Sequence, residues 1–219
     1  MYDALMRKTA EEAAQTRVSL MEAALFVFAE QGLSSARLAD VAQRAGLTRG
    51  ALYYHFADKS TLHAAVMAHT WSTVTEPVWG ILASDAPHDE RLGAFLTTWL
   101  RRLRHDARFR ALLTLTLDGS HDAAGLPEAR AAKASGLADW QRELEAFFAG
   151  HAAASAAVAS AALPAGAVGP PREPVSPVSA AASLLAWLCG TALLAATDPA
   201  LLPPDDAVGV APLVRGLLS

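Results

Sequence analysis

The run Leu38-Ala39-Asp40-Val41-Ala42-Gln43-Arg44-Ala45-Gly46-Leu47-Thr48-Arg49-Gly50-Ala51-Leu52-Tyr53-Tyr54-His55-Phe56-Ala57-Asp58-Lys59 reads as two short helices joined by a tight turn. The first fits residues 36–45, with Leu38, Val41 and Ala42 on its apolar face. Gly46 follows, the residue type that accepts the positive φ a tight turn needs. The second fits 48–54. Thr48 stands at its N-cap, where a hydroxyl accepts a free backbone N–H. Leu38, Val41, Leu47 and Leu52 hold the two helices at a fixed angle. That pattern is a helix-turn-helix, whose second helix can enter the major groove of DNA.

The outward residues of the second helix carry suitable chemistry. Arg49 donates to a guanine edge or a phosphate. Gly50 has no side chain, so the helix can approach the bases closely. Tyr53 and Tyr54 offer hydroxyls and ring edges to phosphates and thymine methyls. His55 and Lys59 supply donors to the DNA backbone. Tyr53 can alternatively be a structural residue that packs on the first helix of the chain. Between Ser34 and Lys59 the bases are Arg37, Arg44, Arg49 and Lys59, against Asp40 and Asp58. Arg44 reads more as a solvated helix residue than as a contact, and Arg17 is open between the two roles.

Outward from this segment the chain reads as all-α. Residues 8–31 form a helix with Leu20, Met21, Ala24, Leu25 and Phe28 at helical spacing, stopped by Gly32. Asp58 can cap a helix from Lys59 toward Trp79, which Pro77 should kink or end. Further helical patterns cover 90–105, 106–117 and 126–150. The apolar sets of the first and last are Leu92, Phe95, Leu96, Trp99 and Leu103, and Leu137, Trp140, Leu144, Phe147 and Phe148. From His151 to Pro171 there is no charge, and prolines stand at 164, 170, 171, 174 and 177. A mobile loop is expected over about 153–177. Helices over about 178–197 and 206–218 close the chain. No useful β-alternation is present.

The chain has 219 residues, of which 53% are hydrophobic and 18% charged, so a wholly disordered chain is excluded. Its net charge of −4 excludes a polycation that coats nucleic acid by bulk charge. The single cysteine, Cys189, excludes an intramolecular disulfide and a multi-cysteine metal site. It lies in an apolar run and reads as buried and inert. No signal-peptide pattern opens the sequence, and a cytoplasmic location is expected. Pro174 to Thr197 is uncharged and near the length of a membrane span. Its Ala, Ser, Pro and Gly content and its lack of flanking Lys/Arg clusters favour a buried or interface helix, with no membrane partner. The Arg101-Arg102-Leu103-Arg104 run is expected on a solvated or interdomain face. No phosphate loop, nucleophile elbow or metal-ligand spacing appears, so neither an enzyme nor a cofactor is expected.

The 38–59 segment resembles the DNA-binding domain of the TetR family of transcriptional regulators nearly position for position. The runs at Arg7–Arg17 and from Glu22 to Gly32 resemble the branch that represses multidrug efflux pumps. The likeness covers about residues 7–66. It implies a homodimer on a palindromic double-stranded operator, and DNA contacts by Thr48, Arg49, Gly50, Tyr53, Tyr54, His55 and Lys59. It also implies dimerisation through the last two long helices, and a ligand that enters the larger domain, moves the fourth helix and releases the operator. One position departs from the family pattern: Ala36 stands where a Thr or Ser usually caps the second helix. Ser35 is the alternative cap, and Arg37 the alternative phosphate contact. The expected division is a helix-turn-helix domain over 1–57 and a ligand-binding and dimerisation domain over 58–219.

In repressors of this kind the ligand pocket is built from the helices carrying Phe95, Leu96, Trp99, Leu113, Leu117, Leu137, Trp140, Leu144 and Trp187. The same residues also fit a plain core. A cavity lined by them would suit a small hydrophobic or aromatic effector, with Thr114 and Thr116 as polar anchors. Two other readings remain open: a DNA-bound dimer with a role outside transcription, and a small-molecule-binding protein with a vestigial helix-turn-helix.

Overall fold

The computed structural model describes residues 2–117, 127–161 and 175–219; of the side chains, those of 10–117, 133–158 and 175–219 are described. All regular structure among them is helical: α1 Tyr2–Gln31, α2 Leu38–Arg44, α3 Arg49–His55, α4 Lys59–Thr70, α5 Glu76–Trp79, α6 His88–His105, α7 Ala107–Leu117, α8 Pro127–Ala161, α9 Pro177–Thr197 and α10 Ala207–Leu217.

Two compact units result. The first comprises residues 1–77 and 107–127, the second 78–106 and 128–219. The first unit is therefore larger than the 1–57 segment expected from the sequence, because α4 and α7 pack against α1. Its core is one cluster: Leu20, Leu25 and Phe28 of α1, Val41 of α2, Leu52 of α3, Phe56, Leu62 of α4 and Leu112 of α7 are at most 1% exposed. The apolar face read from α1 is the face that is buried.

Pro77 acts upstream of itself. Helix α4 gives way at Trp71 to a π-helical turn, Trp71–Thr75, before α5 begins. The Glu76 N–H bonds the Trp71 carbonyl, five residues back. Pro77 has no N–H and its ring clashes with the carbonyl four residues earlier, so the wider register accommodates it without ending the helix.

In the second unit, Leu92, Phe95, Leu96, Trp99 and Leu103 of α6 are completely buried, with Trp140, Leu144, Phe147 and Phe148 of α8. Leu137 is only half-buried. The expected loop start is corrected: α8 runs past Gly150 to Ala161, not to about 152. Alanine has the highest helix propensity, and this Ala-rich run meets no proline before Pro164. The loop's far end is corrected too, since Pro177 opens α9, with the Ser176 hydroxyl accepting the Ser179 N–H. Residues 162–174 of that expected loop lie outside the described residues. The arginine run is not a plain solvated face. Arg104 bonds Asp205 at 2.6 Å and the carbonyls of Leu202 and Pro203, joining α6 to the turn before α10. Arg102 pairs with Asp106. Arg101 is exposed.

Helix α9 is long and apolar enough to cross a membrane by length and composition, and it buries Ala180, Ala181, Leu184, Leu188, Thr191, Ala192 and Ala195. Val178, Leu193 and Leu194 of α9, with Leu201 and Val208 beyond it, are exposed apolar side chains.

Candidate nucleic-acid interface

The turn between α2 and α3 has the conformation its residues favour. Gly46 has φ +69, and its N–H and that of Leu47 bond the carbonyls of Gln43 and Ala42. Thr48 caps α3: its Oγ1 accepts the Ala51 N–H at 3.1 Å. The hydroxyl hydrogen is left to donate elsewhere, so one side chain can both cap the helix and meet a phosphate oxygen. Asp58 caps α4 in the same way, accepting the Thr61 N–H at 2.7 Å, and that bond holds its carboxyl below the usual range.

Helix α3 is fixed by its inner face and open on its outer one. Leu52 and the following Phe56 are buried in the core. Thr48, Arg49 and Gly50 are exposed, Tyr53 is 50% exposed and Tyr54 81%. Tyr54 and His55 meet edge to face with centroids 5.0 Å apart. At 50% exposure, Tyr53 is neither a core residue nor a fully solvated one. A Cβ at Gly50 would meet only the Thr48 hydroxyl, at 3.7 Å, so the fold itself does not demand glycine there. The outer surface is what gains from the missing side chain.

The α2 cap is not the Ser35 offered by the sequence. The N-cap residue is Arg37, with no side-chain hydrogen bond to the helix, and α2 starts at Leu38. Ala36 is 3% exposed and packs in the core, which fills the place of a capping hydroxyl with an apolar contact. Ser35 does not cap. Arg37 is exposed.

The remaining basic residues divide. Arg44 pairs with Glu30 at 2.6 Å and lies 5.0 Å from the Phe26 ring centre. Arg17 donates to the His55 carbonyl at 3.0 Å and its guanidinium lies 4.3 Å from the Phe56 ring centre. Lys59 donates to three backbone carbonyls, those of Leu33, Ser34 and Ala36, at 2.7, 2.9 and 3.1 Å. Arg37 and Arg49 make no ion pair or hydrogen bond among the described residues.

The candidate effector residues separate. Leu113 and Leu117 lie on α7 in the first unit, the former buried and the latter half-buried. The other seven lie in the second unit. There Phe95, Trp99 and Trp140 form an aromatic cluster with Trp79, centroids 5.4 to 6.2 Å apart. Leu96 and Leu144 are completely buried, and Trp187 is half-buried. Sequence reading missed Trp79, although a tryptophan two residues after a helix-disrupting proline was the available signal. Trp99 Nε1 donates to Thr191 Oγ1 at 3.0 Å. Trp79 Nε1 is buried without a hydrogen-bond partner among the described residues. Thr116, an expected anchor, spends its hydroxyl on the Leu112 carbonyl of its own helix. Cys189 is half-buried, and burial pushes its thiol pKa up, away from the reactive thiolate. Among the described residues no cluster of three or more His, Cys, Asp or Glu could hold a metal ion.

Comparison with known proteins agrees with this geometry. The family model for bacterial regulatory proteins of the tetR family matches residues 20–66. The HTH-type transcriptional regulator AcrR of Shigella flexneri is 43% identical over 72 residues, 33% of this chain and 34% of that one. The HTH-type transcriptional regulator SrpR of Pseudomonas putida is 50% identical over 64 residues, 29% and 30% of the two chains. The match thus spans about a third of these relatives' length. A solved structure is similar over nearly the whole chain: NalD of Pseudomonas aeruginosa, described as the secondary repressor of the MexAB-OprM multidrug efflux pump. It has a TM-score of 0.61 and 25% identity, covering 94% of this chain and 97% of that one.

Proposed function

We propose that the chain, whose residues 20–66 match the family model for bacterial regulatory proteins of the tetR family, is a homodimeric transcriptional repressor of that family and of its efflux-repressor type, released from a palindromic operator by a small effector. The observation that carries this reading is the outer face of α3. Arg49, Gly50, Tyr53 and Tyr54 are exposed on a helix whose other face is locked into the core. Arg49, Tyr53 and Tyr54 stand outside the core on this short helix, and they match the chemistry of groove and phosphate contacts. Arg37, Thr48 and His55 extend the contact surface on either side. Decay to a vestigial helix-turn-helix would not keep this surface and its caps intact.

The dimer is supported by the exposed apolar side chains of α9 and the turn beyond it, Leu193, Leu194 and Leu201. An uncharged helix that buries one face in its own unit and leaves Val178, Leu193 and Leu194 exposed is expected to cover them with a second copy, here without invoking a membrane. Two recognition helices related by that two-fold would read the two half-sites. The location that fits this role is the cytoplasm.

The effector site is assigned to the second unit, around Trp79, Phe95, Trp99 and Trp140. The unpartnered Trp79 N–H favours an aromatic effector that carries an acceptor oxygen, because a buried donor left unmet is costly. Effector and operator are coupled by linkage: a ligand that prefers the non-binding conformation weakens DNA binding by its differential affinity for the two states. Control of an efflux transporter operon follows by analogy with the relatives. No enzyme activity is assigned.

The direct test is an anisotropy titration of the DNA upstream of the protein's own gene, with Tyr53→Ala/Tyr54→Ala beside the wild type. Saturable binding that competitor DNA does not remove, and that the double variant loses, is expected. Equal binding by the double variant would remove α3 as the reading element.

A further inference from the structure

Five Lys or Arg residues lie between positions 10 and 65, and two of them, Arg17 and Lys59, donate to backbone carbonyls, while Arg44 pairs with Glu30 at the surface. An ammonium has three hydrogens to donate. Lys59 gives all three to the carbonyls of Leu33, Ser34 and Ala36, which line the turn between α1 and α2. It stands at the first position of α4 and so ties the start of that helix to the start of α2. Arg17 works from the other side. It reaches from α1 to the His55 carbonyl at the C-terminal end of α3, where a cation also meets the negative end of the helix dipole. Its guanidinium lies over Phe56, the buried residue that ends α3. The elements on both sides of the recognition helix are thereby held by cations: Lys59 with its three donors on carbonyls, and Arg17 with one donor on the His55 carbonyl and its guanidinium face on the Phe56 ring.

We propose that Lys59 and Arg17 are positioning residues that fix the recognition helix by binding backbone carbonyls, and that Arg37 and Arg49 are the cations of residues 10–65 that meet DNA phosphate or base. This rests on the DNA-binding reading of α3 and changes its division of labour. A phosphate contact at Lys59 would require its ammonium to abandon three hydrogen bonds of 2.7 to 3.1 Å. A clamp and a phosphate contact differ in one measurable respect: only the second releases counterions when DNA binds.

The experiment is fluorescence anisotropy at several salt concentrations, with two duplexes of equal length: the DNA upstream of the protein's own gene, and a random sequence. It compares the full-length wild type with Lys59→Gln, Lys59→Arg, Arg17→Gln and Arg49→Gln, at a temperature where far-ultraviolet circular dichroism shows each one folded. Lys59→Gln and Arg17→Gln should lower the preference for the upstream DNA about tenfold and leave the salt slope on random DNA unchanged. Arg49→Gln should lower that slope by about two in a dimer, near 0.9 for each of two phosphates. Lys59→Arg keeps the charge but cannot converge three donors on three carbonyls, so it should behave as Lys59→Gln does. It also keeps the test open should the Gln variant fail to fold. A slope lowered by about two in Lys59→Gln and restored in Lys59→Arg would overturn the proposal and make Lys59 a phosphate contact. Wild-type protein that binds neither duplex would instead overturn the DNA-binding reading, and this one with it.

Discussion

Thr48 illustrates how much one side chain carries. Its oxygen closes the first turn of α3, and its hydroxyl hydrogen is not used in that bond. Thr48→Ala should cost about 1 kcal/mol of stability in a urea titration, the usual loss for an N-cap. Thr48→Ser should recover it. Trp79 is the matching residue in the second unit. Trp79→Phe removes the orphaned N–H together with one of the two fused rings, so relief of the unmet donor offsets part of the cavity cost, and the variant should lose less stability than Trp79→Leu. In the same variant, release of DNA by an aromatic compound bearing a carbonyl should need more compound, while release by its hydrocarbon analogue should not change. Equal release by both compounds in wild type and variant would remove the acceptor from the effector's description. His88 makes a pH prediction. Burial, then Arg91 and His151, lower its pKa from the ordinary 6.5. The unfolded chain then binds more protons just below pH 6.5, so stability is full above that pH and falls as the pH drops toward the folded value. In His88→Gln, thermal melts over pH 5 to 7.5 should lose that part of the slope.

At the scale of elements, the second unit depends on a polar bond inside an apolar cluster. Trp99 and Thr191 are at most 4% exposed, and the indole N–H donates to the hydroxyl. Thr191→Val keeps the shape and strands a buried donor, at an expected cost of about 1–3 kcal/mol. Thr191→Ser should cost less. A denaturant titration followed by tryptophan fluorescence distinguishes them, and equal midpoints would mean that water replaces the hydroxyl. In the first unit the joint between α2 and α3 depends on Gly46. A Cβ there meets no obstacle, but φ is +69, so Gly46→Ala should destabilise by about 1 kcal/mol through backbone strain alone.

For the whole molecule, the test concerns the second copy. Leu193 is 69% exposed on an uncharged helix. Leu193→Glu should leave the helical content intact, yield a monomer by light scattering and abolish high-affinity binding to a two-half-site operator. A dimer that survives this substitution would move the interface away from that face of α9. The acidic net charge of −4 is compatible with the proposed DNA contact because Arg37, at the N-cap of α2, and Arg49, on α3, are exposed there.

The sequence by itself determined the recognition head. Gly46, Thr48 and Asp58 act through bonds to residues at most four positions away, and the apolar spacing of α1 and α6 specifies their buried faces, so local chemistry is enough. It also determined the all-α class. Tertiary structure alone decided which cations are free. Lys59, Arg17 and Arg104 look like surface charges in the sequence, yet their partners lie 23 to 101 residues away and are mostly backbone carbonyls, which carry no sequence signature. It also brought α7 to the first unit and Trp79 into the aromatic cluster, since both depend on packing between distant segments. Pro77 shows the boundary between the two: the sequence marks a disturbed helix, but whether the backbone breaks or shifts to a π turn depends on the burial of Val74, Thr75 and Val78 around it.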